Sequence, residues 1–182
     1  MKIKYMFPKA HAAAYMIAAL RLGWYKVHHP LAYYAAYYTV RPDYIDGAVL
    51  MRGHKAVKEK MSQIKRKMSV HEASDKEEKE YVMYQIINEM FARGIEVLPV
   101  DIYKSDAKIF TLEDGKIRIP LSSLPGVGGA AAISLAEAGK QGEYLSIEEL
   151  QSRSKVTKAV IETLREVGVL NGLPESSQMS LF

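Results

Sequence analysis

The sequence predicts a mainly α-helical chain with a small β element between two helical regions. Three observations carry this. Apolar residues recur at steps of three and four through residues 9–94, the period breaks into short Ile- and Val-rich runs over 96–121, and helical patterning resumes after Gly128. At 182 residues and 48% hydrophobic, the chain suits one ordinary domain or two small ones with a buried core.

Pro8 suits a first helical turn, and Ala13, Ile17, Leu20, Trp24 and Val27 recur at steps of three and four, so a helix is expected over Lys9 to Val27. It must end near His29, because the residue before Pro30 is pushed out of the helical region. A tyrosine-dense helix follows over Leu31 to Thr39, then a turn at Arg41-Pro42-Asp43, a short helix, a break at Gly53 and a longer helix to about Met68. In that longer helix Val57, Met61, Ile64 and Met68 make the apolar stripe, leaving Lys58, Lys60, Lys65, Arg66 and Lys67 mostly on other faces. Ser74 and Glu77 form a capping box for a further helix that stops at Gly94.

Glu96 to Ile102, Lys108 to Leu112 and Lys116 to Leu121 read as strands, with Glu113-Asp114-Gly115 as a hairpin signal. Helices are then expected at Gly129 to Ala138, at Ile147 to Arg153 under a Ser146/Glu149 capping box, and at Lys158 to Val167 before Gly168. The stretch from Asn171 to Ser177 has Gly, Pro and Ser and no periodicity, so it is expected to be flexible.

Charge is unevenly spread. Residues 1–50 carry six Lys/Arg against two Asp/Glu, 51–67 seven against one, 68–114 five against eleven, and 115–182 seven against seven. The net +4 therefore hides a basic front, the kind of surface that a polyanion would meet. The absence of Cys excludes disulfides, Cys-ligated zinc, iron-sulfur clusters and thiol nucleophiles. No stretch approaches the about 20 apolar residues of a membrane span, and no signal-peptide pattern follows Met1, so a soluble cytoplasmic protein with no membrane partner is expected.

The sharpest motif is Leu121-x-x-Leu124-Pro125-Gly126-Val127-Gly128-x-x-x-Ala132. Its two glycines allow a tight turn that exposes successive N–H groups at a helix start, a nest for phosphate built without basic side chains. Leu124, Gly126, Val127, Gly128 and Gly129 are the candidate DNA-backbone contacts, and the spacing resembles the helix-hairpin-helix motif. A second, degenerate copy is expected at Leu164-Arg165-Glu166-Val167-Gly168-Val169-Leu170. Two other readings stay open: a dinucleotide fingerprint at Gly126 to Ala131, and a Gly-rich turn without a ligand.

Two further segments stand out. The terminal Gln178-Met179-Ser180-Leu181-Phe182 places two large apolar residues at the end of a polar stretch, as a short docking peptide would, or as a frayed tail would. Lys9, His11 and Tyr15 make a polar edge on the first helix, able to touch a phosphate or stack on a base, or simply to face solvent. His28-His29 lacks further ligands at metal-binding spacing, and no nucleophile triad or two-metal carboxylate pair is present, so no catalytic or metal site is expected within the chain.

The order of Phe7-Pro8-Lys9-Ala10-His11-Ala12-Ala13-Ala14-Tyr15, Tyr25-Lys26-Val27-His28-His29-Pro30, Arg93-Gly94-Ile95-Glu96-Val97, Val100-Asp101-Ile102-Tyr103-Lys104-Ser105-Asp106-Ala107, the Pro125-Gly126-Val127-Gly128 turn and the last five residues resembles the C-terminal end of PolC-type DNA polymerase III, the C-family replicative polymerase of low-GC Gram-positive bacteria. The resemblance covers essentially the whole chain. It implies helical fingers over 1–94, a small β linker at 95–121, a tandem helix-hairpin-helix that holds duplex DNA over 122–172, and a flexible tail at 173–182. It places Lys9, His11 and Tyr15 near the nascent base pair and makes Gln178, Met179, Ser180, Leu181 and Phe182 the sliding-clamp-binding peptide. Met179 stands where the family usually has Leu. The palm aspartates and their magnesium ions would lie upstream, so the chain alone is expected not to polymerise and to bind no cofactor beyond a monovalent cation shared at the hairpin turn. Duplex DNA, the sliding clamp and the remaining polymerase domains are the implied partners. The runner-up is a stand-alone helix-hairpin-helix protein whose basic helix at residues 52–67 contacts nucleic acid, and a dinucleotide-binding domain comes third.

Overall fold

Prolines, glycines and capping side chains set the helix boundaries. The computed structural model describes residues 8–176. Helix α1 (Lys9–His28) ends where His29 leaves the helical region at φ −134° and ψ 57°, and Pro30 occupies the first turn of α2 (Pro30–Val40). A 3-10 turn at Pro42–Tyr44 leads to Asp46, whose Oδ1 accepts from the N–H groups of Ala48 and Val49 at 2.9 and 3.2 Å and opens α3 (Gly47–Met51). Gly53, at φ 81°, separates α3 from α4 (Gly53–Ser69). Ser74 and Glu77 form the reciprocal capping box of α5 (Asp75–Ala92), and Gly94 follows its end at φ 77°.

Strands β1 (Val97–Leu98), β2 (Thr111–Glu113) and β3 (Lys116–Arg118) form one sheet in the order β1-β3-β2. β2 and β3 pair antiparallel through Asp114 and Gly115, both left-handed at φ 49° and 75°, as a two-residue hairpin requires. β1 pairs parallel to β3. All three are shorter than the apolar runs that predict them. Pro99 has no N–H with which to extend β1, and Asp106 Oδ1 accepts from the N–H groups of Lys108 and Ile109, each at 2.8 Å, so the start of the second run is a turn. After a 3-10 turn at Leu121–Ser123 come α6 (Gly129–Gly139), α7 (Ile147–Ser154) and α8 (Lys158–Glu166).

One buried cluster runs from Tyr34 to Leu170, crossing from the helical half to the hairpin half without a gap. Tyr38 meets Phe110 edge-on with ring centroids 5.6 Å apart, and the Phe110 N–H donates to Thr39 Oγ1 at 3.0 Å. Gly47 packs so closely on Ser123 that a Cβ there would stand 2.9 Å from the Ser123 carbonyl oxygen.

Two segments differ from a simple reading of the pattern. First, the apolar stripe on α1 lies open: Ile17 and Trp24 are 51% exposed, Val27 67% and Leu20 68%. The helix touches the body mainly at its C-terminal end, where Lys26 Nζ donates to Glu89 at 2.6 Å and the same carboxylate accepts from Arg93 at 2.8 Å. Those two hydrogen bonds, Lys26 foremost, hold the Glu89 carboxyl below its ordinary range. Second, residues 171–176 are not a free tail. The first N–H groups of α7 need acceptors, and the carbonyls of Pro174 and Glu175 receive those of Ile147 and Glu148 at 2.9 and 3.1 Å. Arg165 adds a bidentate pair to Glu175 at 2.8 and 2.9 Å.

Candidate nucleic-acid interface

The Pro125-Gly126-Val127-Gly128 segment folds as a tight turn at the start of α6. Gly126 sits at φ 77°, a conformation that an L side chain strains against, and Gly128 is the N-cap of α6 without a side-chain cap. Leu124 and Val127 are buried, 2% and 4% exposed, so they anchor the turn, and the Val127 N–H is spent on the Leu124 carbonyl at 3.1 Å. Outward face Pro125, Gly126 and Gly128. Among the described residues, no acceptor within the chain meets the N–H groups of Gly128, Gly129, Ala130 or Ala131. Four open donors at the positive end of a helix dipole are an arrangement that attracts phosphate oxygens.

The motif reading missed a cation that belongs to this end. Lys108 lies over the first turn of α6, its Nζ 3.3 Å from the point where a Cβ on Gly129 would stand. It has no carboxylate partner among the described residues, so an ammonium and a helix N-terminus, which repel each other, share one spot. An anion there resolves the repulsion. Asp106 could have signalled it, since its turn swings Lys108 towards the hairpin.

The second hairpin is real but elsewhere than expected. Residues 164–170 form a helix C-cap: Gly168 is at φ 77°, with the Val169 N–H on the Leu164 carbonyl at 2.9 Å and the Gly168 N–H on that of Arg165 at 3.0 Å. The true counterpart of the first turn joins α7 to α8. Lys155 is left-handed at φ 54° where Gly126 is, Val156 is buried where Val127 is, and Thr157 caps α8 where Gly128 caps α6. Each lies 29 positions after its counterpart, as do buried Leu150 after Leu121, Ile161 after Ala132 and Leu164 after Leu135.

The two units clasp each other reciprocally. Thr163 Oγ1 on α8 stands 3.6 Å from the place of a Gly126 Cβ, and its counterpart Ser134 on α6 donates to the Ser154 carbonyl at 2.5 Å. Lys155 and Lys158 are exposed at the second turn and have no carboxylate partner among the described residues. The dinucleotide alternative fails here, because α6 leads to α7 and α8 rather than to a further strand, and no βαβ unit surrounds the glycines.

Lys9, His11 and Tyr15 all lie exposed on the first turns of α1, with Tyr15 70% exposed and its ring 5.6 Å from that of His11. This edge is remote in sequence from the hairpins. His28 and His29 pack on Trp24 with tilted rings, their centroids 4.6 and 5.3 Å from that of the indole. Gln178, Met179, Ser180, Leu181 and Phe182 lie outside the described residues. Among the described residues, no group of three or more metal-ligating side chains is arranged to hold an ion, and no helix is long and apolar enough to cross a membrane.

A family profile described as a helix-hairpin-helix motif matches residues 94–179, which includes both turns. Along its full length the chain is 46% identical to the PolC-type DNA polymerase III of Clostridium perfringens and covers 12% of that protein. By sequence, the chain is similar throughout to a part of PolC-type DNA polymerase III. The relative from Halalkalibacterium halodurans is also 46% identical, with 13% of its length covered, and that from Bacillus subtilis is 44% identical, with 12% covered. The chain thus spans about an eighth of the PolC-type relatives it matches.

Proposed function

We propose that this chain serves as the C-terminal portion of a cytoplasmic replicative DNA polymerase, in which it grips the phosphate backbone of duplex DNA without reading sequence. The observation that carries the reading is the first turn: four open N–H groups, a helix N-terminus and the unpaired Lys108 converge on one exposed spot. Phosphate contacts fix register and orientation and carry no sequence information directly. Among the described residues, the carbonyls of Pro125, Gly126 and Val127 accept no hydrogen bond, so they fit a monovalent cation held between turn and phosphate. Lys155 and Lys158 add a second, more electrostatic grip.

Residues 1–94 would be the fingers portion, with Lys9, His11 and Tyr15 towards the incoming nucleotide, 95–121 the linker, and 178–182 the tether to the sliding clamp. Primer extension needs the palm carboxylates and their magnesium, which this reading places in the other parts of the polymerase, so the pure chain should extend no primer.

Titration of a labelled duplex at two salt concentrations tests the reading. Affinity should fall steeply with salt, and the Gly126→Ala/Gly128→Ala and Lys108→Gln variants should each bind more weakly. A salt-insensitive affinity, or hairpin variants that bind like the parent, would overturn it. Deleting Leu181 and Phe182 should abolish capture on an immobilised clamp and leave duplex affinity unchanged; undiminished capture removes the tether assignment. Measurable primer extension by the chain alone removes the division of labour.

A further inference from the structure

We infer that the outer face of α4 is a second DNA-backbone contact, separate from the hairpins. Ala56, Val57 and Ile64 bury one side of this helix. On the other, Lys55, Lys58, Ser62, Lys65 and Arg66 are exposed, and Lys55, Lys58, Ser62 and Arg66 help to line an open groove of about 470 Å³ along the helix.

The charges on this face are uncompensated. Lys58, Lys65 and Arg66 have no carboxylate partner among the described residues, and Lys55 meets only Glu59, at the 4.0 Å limit of an ion pair. Lys67, which points away from the ridge, is the one cation of the last turns with a close partner, Glu77 at 2.5 Å. Lys55 and Lys58 are spaced to repel one another along the helix, and Lys65 and Arg66 stand side by side. A helix that concentrates like charge on one open side is best satisfied by a continuous polyanion. The ridge from Lys55 to Arg66 extends about 16 Å along the helix axis, and B-DNA carries one charge per about 1.7 Å of its own axis, so several phosphates fall within reach of four cations.

The ridge is also fixed relative to the hairpins. α4 follows α3, and α3 is seated on the arm of the first hairpin through the contact of Gly47 with Ser123. DNA held at the hairpins therefore meets α4 at a constant distance. The inference rests on the proposed duplex grip only in assuming that the chain meets DNA.

The test measures binding of the chain to a duplex, to a primer–template with a single-stranded overhang and to a single strand, each over a salt series. The Lys58→Gln/Lys65→Gln/Arg66→Gln variant should lower the slope of log affinity against log salt by about 2–3 on the form of DNA that lies on α4. The charge-keeping Lys58→Arg/Lys65→Arg/Arg66→Lys variant should keep the parent slope, and so should Lys79→Gln, an exposed cation on the acidic α5. Thermal unfolding checks that each variant is folded, and the single Lys65→Gln, with an expected slope change of about 1, serves if the triple variant is not. A loss on duplex, or only on overhang or single strand, supports the inference and names the strand. Parent slopes on all three DNAs in the triple Gln variant overturn it, and if the hairpin variants still lose affinity then, the grip reading survives alone.

Discussion

Replacing Gly47 by Ala probes the seam between the two halves. The added Cβ would lie 2.9 Å from the Ser123 carbonyl oxygen, 3.0 Å from its carbonyl carbon and 3.0 Å from its Cβ. Two of those atoms are backbone, held by the 3-10 turn that carries the Ser123 N–H to the Pro120 carbonyl, so no rotamer change clears the way. Ordinary contact at such atoms begins several tenths of an ångström further out, and α3 or the hairpin arm must shift to provide it. Overpacking of this kind costs about 1–3 kcal/mol, against which alanine in place of glycine in a helix returns up to about 1 kcal/mol. The expected net loss is about 1–2 kcal/mol, read as a lower urea midpoint at unchanged slope in unfolding followed by circular dichroism. Gly23→Ala is the control. Gly23 lies inside α1 with no heavy atom within 4 Å of its would-be Cβ, so only the propensity gain applies and local helix stability should rise. A Gly47→Ala midpoint equal to or above the parent value would refute the idea that close packing at Ser123 holds the halves together.

Lys155→Gly should stabilise the chain by about 1 kcal/mol, because it relieves a left-handed lysine, and should lower the salt slope of duplex binding by about 1; urea unfolding and the salt series read the two effects separately. Burial, with the Glu89 charge second, pushes the Tyr34 phenol up to about 12, and burial also raises Tyr38 and Tyr84. In each, the folded state holds its proton longer than the unfolded chain, so stability is intact below about pH 10 and falls as pH rises beyond it; tyrosinate absorbance should show these phenols ionising after the exposed ones. The Lys67 ammonium and then the Ser74 cap hold Glu77 down at about 2. Its contribution is present above about pH 4.3 and is lost as pH falls towards 2, so Glu77→Gln should remove that part of the acid-side loss in stability.

Most element boundaries were legible because single residues decide them: Pro30, Ser74, Gly94 and the Asp114-Gly115 pair each act through local chemistry that needs no knowledge of the rest of the chain. Periodicity gives α1 an apolar side and says nothing of what lies opposite; Trp24 and Leu20 face outward. The first hairpin was legible from its glycines. The second was not, because the cue sought was glycine, and Gly168 supplied it at a helix end while a lysine carries the left-handed position at 155. The spacing of 29 between Leu121 and Leu150, Val127 and Val156, and Leu135 and Leu164 was present in the sequence as a repeat of buried positions. Lys108 was missed for another reason: Asp106 marks its turn, but its place over α6 depends on a tertiary approach across 21 residues to Gly129.

The unbroken core has a mechanical consequence. With Tyr38 against Phe110, Gly47 against Ser123 and Gly139 against the Ile102 carbonyl, residues 95–121 are a girder and not a tether. A load applied at the hairpins is delivered to α2 through α5 as a rotation of the whole body. The compliant part is α1, which leaves that body at the His29 elbow and is clipped to it by Lys26, Glu89 and Arg93. Small angular changes at the clip grow along the 20 residues of α1, so the Glu89 ion pairs at one end of the helix bear on where Lys9, His11 and Tyr15 stand at the other.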